Sequence, residues 1–261
     1  MYEKGKLDYI VCNPVTREFR RLPRPHKAYH GVAVAFICKG NGATSLDDVR
    51  YEVIRAGINS RQLTTTLEMD TYSSVTGSWT EASVASDSPF LLLACNRSAF
   101  MVEEVTYWSA IESVVFDNRP STRYAILAYD RVTENAQLIK MPVINGQRFA
   151  SCGDILCPSE GKILYARHNF EKIERSEWKL EHRVTFVEIN QQNCTNMSKS
   201  SSLISLEGFH PQNSQLLLLT WGLIPFWYNI ESKKLMGVGG GFIWSCCQDY
   251  FPYEWPLTLE E

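Results

Sequence analysis

The sequence has no uninterrupted hydrophobic run of the length that a membrane span requires. Its most apolar stretch, residues 216–227, contains Gly222 and Pro225 and is well short of the ~20 residues that cross a bilayer. This stretch instead predicts a buried strand, a turn and a second strand. The first eight residues lack the apolar core of a signal peptide. We therefore expect no membrane partner and a cytoplasmic and/or nuclear location.

An excess of charge is also missing. The 261 residues include 26 basic and 29 acidic ones, which give a net charge of −3. The most basic cluster consists of Arg17, Arg20, Arg21 and Arg24, and acidic, aromatic and proline residues interrupt it. We interpret this cluster as a solvated strand and turn. The charge pattern therefore does not favour nucleic acid as a partner.

The cysteines lack the spacing of a metal site or a disulfide framework. There are eight of them and no C-x-x-C pair, at positions 12, 38, 95, 152, 157, 194, 246 and 247. Cys152 and Cys157 have four residues between them, and no H-x-x-x-H partner follows. Scattered cysteines of this kind are typical of reduced, half-buried thiols. The sequence predicts neither a metal ion nor a cofactor.

Catalytic motifs are missing as well, with no G-x-S-x-G and no H-E-x-x-H. The glycine-rich segment 237–242 lacks the Lys-Ser/Thr of a phosphate-binding loop, and we interpret it as a connection between structural repeats. The histidines are few: His26, His30, His168, His182 and His210. His210 precedes Pro211, which favours a turn histidine bonded to the backbone over a general base. We therefore assign no catalytic residue and expect that the chain is not an enzyme.

What the sequence does contain is a succession of short strands. Segments rich in β-branched and aromatic residues are bounded by turn formers at 32–37, 51–55, 64–69, 125–129 and 162–166. One stretch is ambiguous, because Phe100, Val105, Trp108 and Ile111 fit one face of a helix or two strands with a poor turn. Short strands with frequent turns favour a sandwich, a barrel or a propeller.

A repeated turn motif favours the propeller. Segments 13–16, 73–76, 130–133 and 229–232 each place Asn, Asp or Ser three residues before Thr or Ser, which is typical of a hairpin turn. In three of the four, a large apolar residue follows three positions later, namely Phe19, Trp79 and Leu235. The motifs start 60, 57 and 99 residues apart. We interpret the last interval as two units, with a degenerate unit around 178–187.

Periods of roughly 40 to 50 residues are typical of propeller blades. The sequence therefore predicts an all-β, β-propeller-like array of four-stranded blades that is incomplete at its N-terminus. The alternative is a β-sandwich with chance similarity among its turns. We expect a single domain over residues 1–261, with its main part at 8–238 and a closing strand or tail at 239–261. The signatures of WD and kelch repeats are both missing.

Several motifs resemble one family. Residues 9–23, Tyr-Ile-Val-Cys-Asn-Pro-Val-Thr-Arg-Glu-Phe-Arg-Arg-Leu-Pro, resemble the opening of the F-box-associated domain of plant F-box proteins. The segment 68–79, Glu-Met-Asp-Thr-Tyr-Ser-Ser-Val-Thr-Gly-Ser-Trp, is the most diagnostic match. Other matches follow the family's order at 51–55, 128–130, 138–142, 160–166, 178–180, 209–211 and 228–234. The resemblance extends from residue 9 to about residue 238.

The resemblance implies the substrate receptor of an SCF-type ubiquitin ligase. In that family the F-box docks onto the cullin adaptor, and the associated domain holds the protein to be ubiquitinated. This sequence departs from the pattern, because the residues before Tyr9 are too few for an F-box and for the first propeller strands. The stretch 96–111 also differs from the family's usual apolar hairpin. The chain is then a truncated product or a relative without its own F-box.

We therefore expect a protein-recognition domain whose partner is a target protein, with a cullin adaptor as a partner only if the full-length form has an F-box. The alternatives are a propeller hydrolase or lyase using His168, His182 or His210, and a truncated fragment without function. We expect Trp79 and Trp178 to fill the space between blades. The C-terminal aromatic residues, Tyr250, Phe251, Tyr253 and Trp255, are candidate exposed anchors. The sequence does not identify the residues that bind the target.

Overall fold

The structure is a computed structural model that describes residues 8–13, 16–39, 49–58, 62–93, 99–116, 119–141, 143–144, 155–166, 173–174, 204–221 and 224–237. These residues fall into two compact units, one ending at Lys140 and the other beginning at Met141. Within the described ranges all regular secondary structure is β-strand. The all-β prediction is therefore confirmed. The single domain over 1–261 stays a prediction, and the segments 178–187 and 239–261 lie outside the described residues.

The first unit contains a hairpin and a large sheet. Its strands are β1 (Ile10–Asn13), β2 (Glu18–Arg21), β3 (Gly31–Lys39), β4 (Arg50–Ile58), β5 (Thr64–Ser73), β6 (Ser78–Leu92), β7 (Ala99–Val102), β8 (Val105–Phe116), β9 (Arg119–Asp130) and β10 (Asn135–Lys140). Strands β1 and β2 pair with each other, and the other eight form one sheet in the order β3-β4-β5-β6-β10-β9-β8-β7. Four of the strand segments predicted from the sequence lie within β3, β4, β5 and β9.

The eight-stranded sheet consists of two antiparallel groups of four strands in chain order. We call β3–β6 the first blade and β7–β10 the second blade. They meet along β6, which pairs with β10 at Ser86 and with β8 from Phe90 to Leu92. Four-stranded antiparallel groups that follow the chain are the blades that the sequence predicts, and the propeller-like fold class is confirmed.

The two blades share one hydrophobic core. Successive residues of a strand point to opposite faces of a sheet, so that Ala33, Ala35 and Ile37 of β3 are buried in this core while their neighbours face the other way. Residues from all eight strands join them in the same cluster. At its centre the fully buried Trp108 lies with its ring 6.4 Å from the ring of Tyr129.

The ambiguous stretch that contains Trp108 forms two strands. Strands β7 and β8 are joined by a turn at Glu103 and Glu104, and Glu103 adopts a φ of 55°. Burial alternates along β8, where Thr106, Trp108 and Ala110 face the core. A period of two is the signature of a strand, and it decides against the helical interpretation.

All four repeated turn motifs form hairpins, as predicted. The first residue of each motif pairs with the residue five positions later: Asn13 with Glu18, Ser73 with Ser78, Asp130 with Asn135 and Asn229 with Lys234. Each side chain also accepts a hydrogen bond from a backbone N–H within its own turn. The bonds to Asp130 and Asn229 are the shortest, at 2.8 and 2.7 Å.

The last loop residue of each turn is in the left-handed region. These residues are Arg17, Gly77, Glu134 and Lys233, with φ between 52° and 68°. Residues other than glycine adopt this region at an energetic cost. Because Arg17, Glu134 and Lys233 are not glycine, the sequence did not reveal this conformation.

The second unit contains two short ladders and a four-stranded group. Its strands are β11 (Val143–Ile144), β12 (Ile155–Ser159), β13 (Lys162–Ala166), β14 (Ile173–Glu174), β15 (Ile204–His210), β16 (Asn213–Trp221), β17 (Ile224–Asn229) and β18 (Lys234–Gly237). Strands β15–β18 form a further blade in chain order. The stretch 216–227 lies in the hairpin of β16 and β17, as predicted, and contributes Leu219 and Phe226 to a local core. The predicted strand 162–166 is β13.

Candidate functional site

The β1–β2 hairpin packs on one face of the first blade, which we call its hairpin face. Val11 and Leu22 are buried there against Tyr51, Val53 and Tyr72 of β4 and β5. Burial of side chains of this size stabilises a fold by about 1.5–3 kcal/mol each. The hairpin therefore lies fixed on the blade through an apolar contact.

A buried ion pair lies at the edge of this contact. Arg55 on β4 and Asp70 on β5 are directly opposite each other in the sheet, and their side chains are 2.5 Å apart. Both side chains are almost completely buried. The Tyr29 hydroxyl donates a second hydrogen bond to Asp70 at 2.9 Å, and the Lys27 carbonyl lies 3.4 Å from the guanidinium of Arg55. Every charged atom of the pair thus faces a partner, as a buried charge requires.

Three aromatic rings surround the Arg55 guanidinium. The ring centroids of Tyr9, Tyr29 and Trp79 lie 5.1, 5.3 and 5.5 Å from its central carbon. Arg55 Nε donates to the Tyr9 hydroxyl at 2.9 Å, and Trp79 Nε1 donates to the Pro23 carbonyl at 2.6 Å. A cation within about 6 Å of an aromatic centroid is attracted to the face of the ring. We call Tyr9, Tyr29, Arg55, Asp70 and Trp79 the arginine cluster.

The arginine cluster fits a structural role better than a catalytic one. Burial raises the pKa of Asp70, and this effect outweighs the opposing contributions of the Tyr29 hydroxyl and Arg55. Burial and the bond to Asp70 also raise the pKa of Tyr29 above its ordinary value of 10.0. Tyr29 therefore stays protonated and acts as a hydrogen-bond donor. The cluster joins the residues before β1, the connection after β2 and three strands of the first blade.

The sequence contained the residues of the arginine cluster but did not reveal their association. Arg55 and Asp70 lie within two of the family motifs, 51–55 and 68–79. Charged residues on strands usually face solvent, and nothing in one sequence gives the register that places these two opposite each other. Trp79, on β6 of the first blade, packs against Tyr9 and Tyr72 on the hairpin face, and it does not lie between the first and second blades. Trp178 lies outside the described residues.

Two further groups of charged residues in the first unit are also paired. Arg131, in the turn between β9 and β10, forms an ion pair with Glu52 of β4 and lies 3.6 Å from Glu104. This contact joins the second blade to the first. Arg123 and Glu112 are opposite each other on β9 and β8, with Nε and Oε1 2.7 Å apart. In both groups each carboxylate lies beside an arginine.

His210 has the role predicted from the sequence. Its Nδ1 accepts a hydrogen bond from the Gln212 backbone at 3.2 Å, and its ring lies 5.3 Å from that of Trp227. His168 and His182 lie outside the described residues, as do the aromatic residues of the C-terminal segment, 250–255. Within the described ranges no three His, Cys, Asp or Glu side chains are grouped as metal ligands would be. Those ranges also contain no helix that could span a bilayer.

The hairpin leaves part of the hairpin face uncovered. On β3, Val34 and Phe36 are 40% and 53% exposed, and Cys38 beyond them is also exposed. We call Val34, Phe36 and Cys38 the β3 stripe. The Phe36 ring lies 5.8 Å from that of Tyr51, so that the stripe adjoins the apolar contact under the hairpin. It is an apolar surface beside a covered one.

Of the arginines near the hairpin, Arg17 lies in the turn, Arg20 and Arg21 lie in β2, and Arg24 lies in the segment after β2. Arg17 and Arg21 are exposed, and Arg24 pairs with Asp8 at 3.0 Å. Burial raises the pKa of Tyr51, and the nearby Arg20 guanidinium partly offsets this rise. We call Arg17, Arg20, Arg21 and Arg24 the hairpin arginines. Arg24 is thus in an ion pair, and Arg20 lies beside Tyr51.

Comparison with known protein families identifies the family to which this architecture belongs. The model of the family described as F-box protein At3g26010-like, beta-propeller, matches residues 1–219. The chain belongs to this β-propeller family. The match confirms the resemblance inferred from the motifs, and it covers the hairpin, both blades of the first unit and most of β16. No curated protein and no solved structure matches the chain. The propeller of such F-box proteins is a protein-interaction domain.

Proposed function

We propose that this chain holds a target protein for an SCF-type ubiquitin ligase and carries out no covalent chemistry itself. The observation that carries this proposal is the family match over residues 1–219. The cullin adaptor is a partner only if the full-length form has an F-box. The other subunits of the ligase then transfer ubiquitin to the target that the propeller holds.

The chemistry of the described residues supports binding over catalysis. The buried charged side chains of the first unit, Arg55, Asp70 and Glu112, are all in ion pairs. His210 is engaged with its own turn. The β3 stripe differs from these paired polar groups. It is an exposed apolar surface, of the kind that protein interfaces bury at their centres.

A cytoplasmic and/or nuclear location is part of the proposal. Cys12, Cys38 and Cys157 are free thiols, which suits a reducing compartment. The net charge of −3 gives the chain no general attraction to the phosphate backbone of nucleic acid. We therefore propose a protein as the target.

The test is the purification of the endogenous protein, with its partners, from its source cells. We expect a cullin and its adaptor to co-purify, together with proteins that become ubiquitinated when the ligase is completed in vitro. The control is the same purification after competition with an excess of free adaptor, which should remove the cullin. A complex that contains neither cullin nor adaptor would contradict the ligase role.

A further inference from the structure

Two polar atoms in the core that the blades share have no partner among the described residues. Thr106 and Trp108 both lie on β8, and the side chains of both are 0% exposed. Thr106 Oγ1 and Trp108 Nε1 each lack a hydrogen bond there. Buried hydroxyl and indole N–H groups normally have a partner, because an unpaired group loses the hydrogen bonds that it makes in bulk water. The two atoms therefore indicate a partner that is not a side chain of this core.

The backbone around the two residues is committed to the sheet. Strand β8 pairs with β7 on one side and with β9 on the other, and Thr106 and Trp108 lie within both ladders. A threonine hydroxyl can bond to a neighbouring backbone group, but it then competes with the sheet ladder for that group. Since β8 has a neighbour on each side, its N–H and C=O groups bond across the sheet.

The side chains opposite the pair do not serve these atoms either. Residues directly opposite each other on paired strands point to the same face of the sheet. The four residues opposite the pair are members of the core cluster or pack against it, and they are Ala99, Met101, Leu127 and Tyr129. Only Tyr129 among these four has a hydroxyl, and this hydroxyl does not bond to Thr106 or Trp108. The surroundings of the pair are thus apolar or aromatic.

The indole and the hydroxyl lie near each other on one face of β8. Residues two positions apart on a strand share a face and are about 7 Å apart. Leu127 is directly opposite Trp108, yet the Trp108 ring lies 6.4 Å from the ring of Tyr129. Because Tyr129 is opposite Thr106, this contact brings the indole beside the row that contains the Thr106 hydroxyl. A single molecule that makes two hydrogen bonds can join polar atoms up to about 6 Å apart.

Water satisfies what both atoms require. The Trp108 indole N–H only donates, whereas the Thr106 hydroxyl can donate and accept. A water molecule can therefore accept from the indole and donate to the hydroxyl. Ala99, opposite Trp108, and Ala110, two residues along β8, each end in a single methyl group and fill less volume than the larger side chains of this core. Buried waters of this kind are common in globular proteins, at about one per 27 residues.

We propose that one water molecule is bound between Thr106 Oγ1 and Trp108 Nε1 as a fixed part of the core. The indole N–H donates to the water, and the water donates to the threonine hydroxyl. This water adds a directed polar contact to a core that otherwise consists of apolar packing. The inference goes beyond the proposed function, and neither depends on the other.

Oxygen-17 relaxation dispersion of the solvent provides the test, because it counts water molecules held inside a protein and does not detect hydroxyl groups. The full chain is compared as wild type, Thr106→Val, which keeps the shape but loses the hydroxyl, and Thr106→Ser, which keeps the hydroxyl. We expect Thr106→Val to lose the contribution of one long-lived water and Thr106→Ser to retain it. The control is Thr122→Val, which replaces an exposed threonine on β9 of the same blade and should lose none.

Nuclear Overhauser effects between solvent and the indole protons locate the water. The Trp108 indole signal is assigned by its loss in Trp108→Phe, and opposite signs in the laboratory and rotating frames distinguish a bound water from proton exchange. We expect a water cross-peak at Trp108 in wild type. Equal oxygen-17 amplitudes for wild type and a folded Thr106→Val would overturn the proposal, since another part of the chain would then serve the two atoms. If Thr106→Val does not fold, wild type alone decides, and a missing cross-peak at Trp108 would overturn the proposal.

Discussion

The hairpin face of the first blade has a covered half and an open half, and the two differ in chemistry. Under the hairpin lies a buried ion pair surrounded by aromatic rings, in which every polar group has a partner. Beside the hairpin, the β3 stripe is apolar and has no charged residue among its members. The covered half is thus completed by contacts within the chain, and the open half has the composition of an interface. The difference separates residues that maintain the fold from residues that are exposed on its surface.

Removing one member of the buried ion pair should have the largest effect on stability. Arg55→Met leaves Asp70 buried without its partner, which costs roughly 3–5 kcal/mol of the free energy of unfolding. Urea denaturation measures this loss. Arg21→Met, which replaces an exposed arginine, is the control and should change stability little. A loss below about 1 kcal/mol for Arg55→Met would mean that the pair is solvated. It would contradict the contrast between the covered and the open half.

Replacing both members of the pair sharpens the same point. Arg55→Met combined with Asp70→Leu removes both charges, and the double variant should be more stable than Arg55→Met alone. Double-mutant analysis of the urea midpoints gives the coupling free energy. Additive losses would show that the two side chains act independently.

Adding a methyl group under Tyr29 should have the next largest effect. A Cβ at Gly57 would lie 2.1 Å from the Tyr29 ring, so that Gly57→Ala must displace the ring that donates to Asp70. Overpacking of this kind costs about 1–3 kcal/mol. Gly208→Ala is the matched control, because nothing lies within 4 Å of its added Cβ. Equal thermal stabilities of the two variants would contradict the described packing of Tyr29.

A substitution in the open half should leave stability almost unchanged. Phe36→Ser removes a half-exposed ring from β3, and surface changes of this kind usually alter stability by less than about 0.5 kcal/mol. Urea denaturation of Phe36→Ser and Tyr51→Ser measures the contrast directly, since Tyr51 is buried beside it. A loss for Phe36→Ser as large as that for Tyr51→Ser would show that the stripe belongs to the core.

The smallest expected effect concerns the turn between β9 and β10 in the second blade. Hydrogen bonds from Thr133 and Val132 lower the pKa of Asp130 below its ordinary value of 3.8, whereas Asn13, in the hairpin that covers the blade, does not titrate. Stability from Asp130 is therefore present above pH 3.8 and is lost as the pH falls through the lowered value. Asp130→Asn should make the free energy of unfolding less dependent on pH across this range. An unchanged pH profile would contradict a capping role for the carboxylate.

Local patterns predicted the strands and turns because both depend on neighbouring residues. The side chains of Asn13, Ser73, Asp130 and Asn229 bond within their own turns, and one sequence is enough to reveal them. A glycine in the turn between β7 and β8 would have indicated that the stretch around Trp108 forms two strands and not a helix. Its left-handed residue is Glu103, which gives no such signal. The repeated turn motif and its spacing then predicted the propeller-like architecture.

The two halves of the hairpin face depend on register and could not be predicted in this way. Arg55 and Asp70 are fifteen positions apart, and they meet because β4 and β5 pair in one of several possible registers. The stripe left a weaker signal, since residues 32–37 are apolar on both faces of β3. That pattern indicates a strand covered on both sides, but it does not say which element supplies the cover.

The most direct test of the account compares complexes of the full-length protein purified from its source cells as wild type, Phe36→Asp and Val132→Asp. Val132 is 76% exposed in a turn of the second blade and serves as the control. We predict that a cullin and its adaptor remain with all three forms, while ubiquitinated target proteins are lost with Phe36→Asp alone. Targets retained by Phe36→Asp at the wild-type level would contradict recognition through the β3 stripe, and a cullin missing from all three forms would contradict the ligase role.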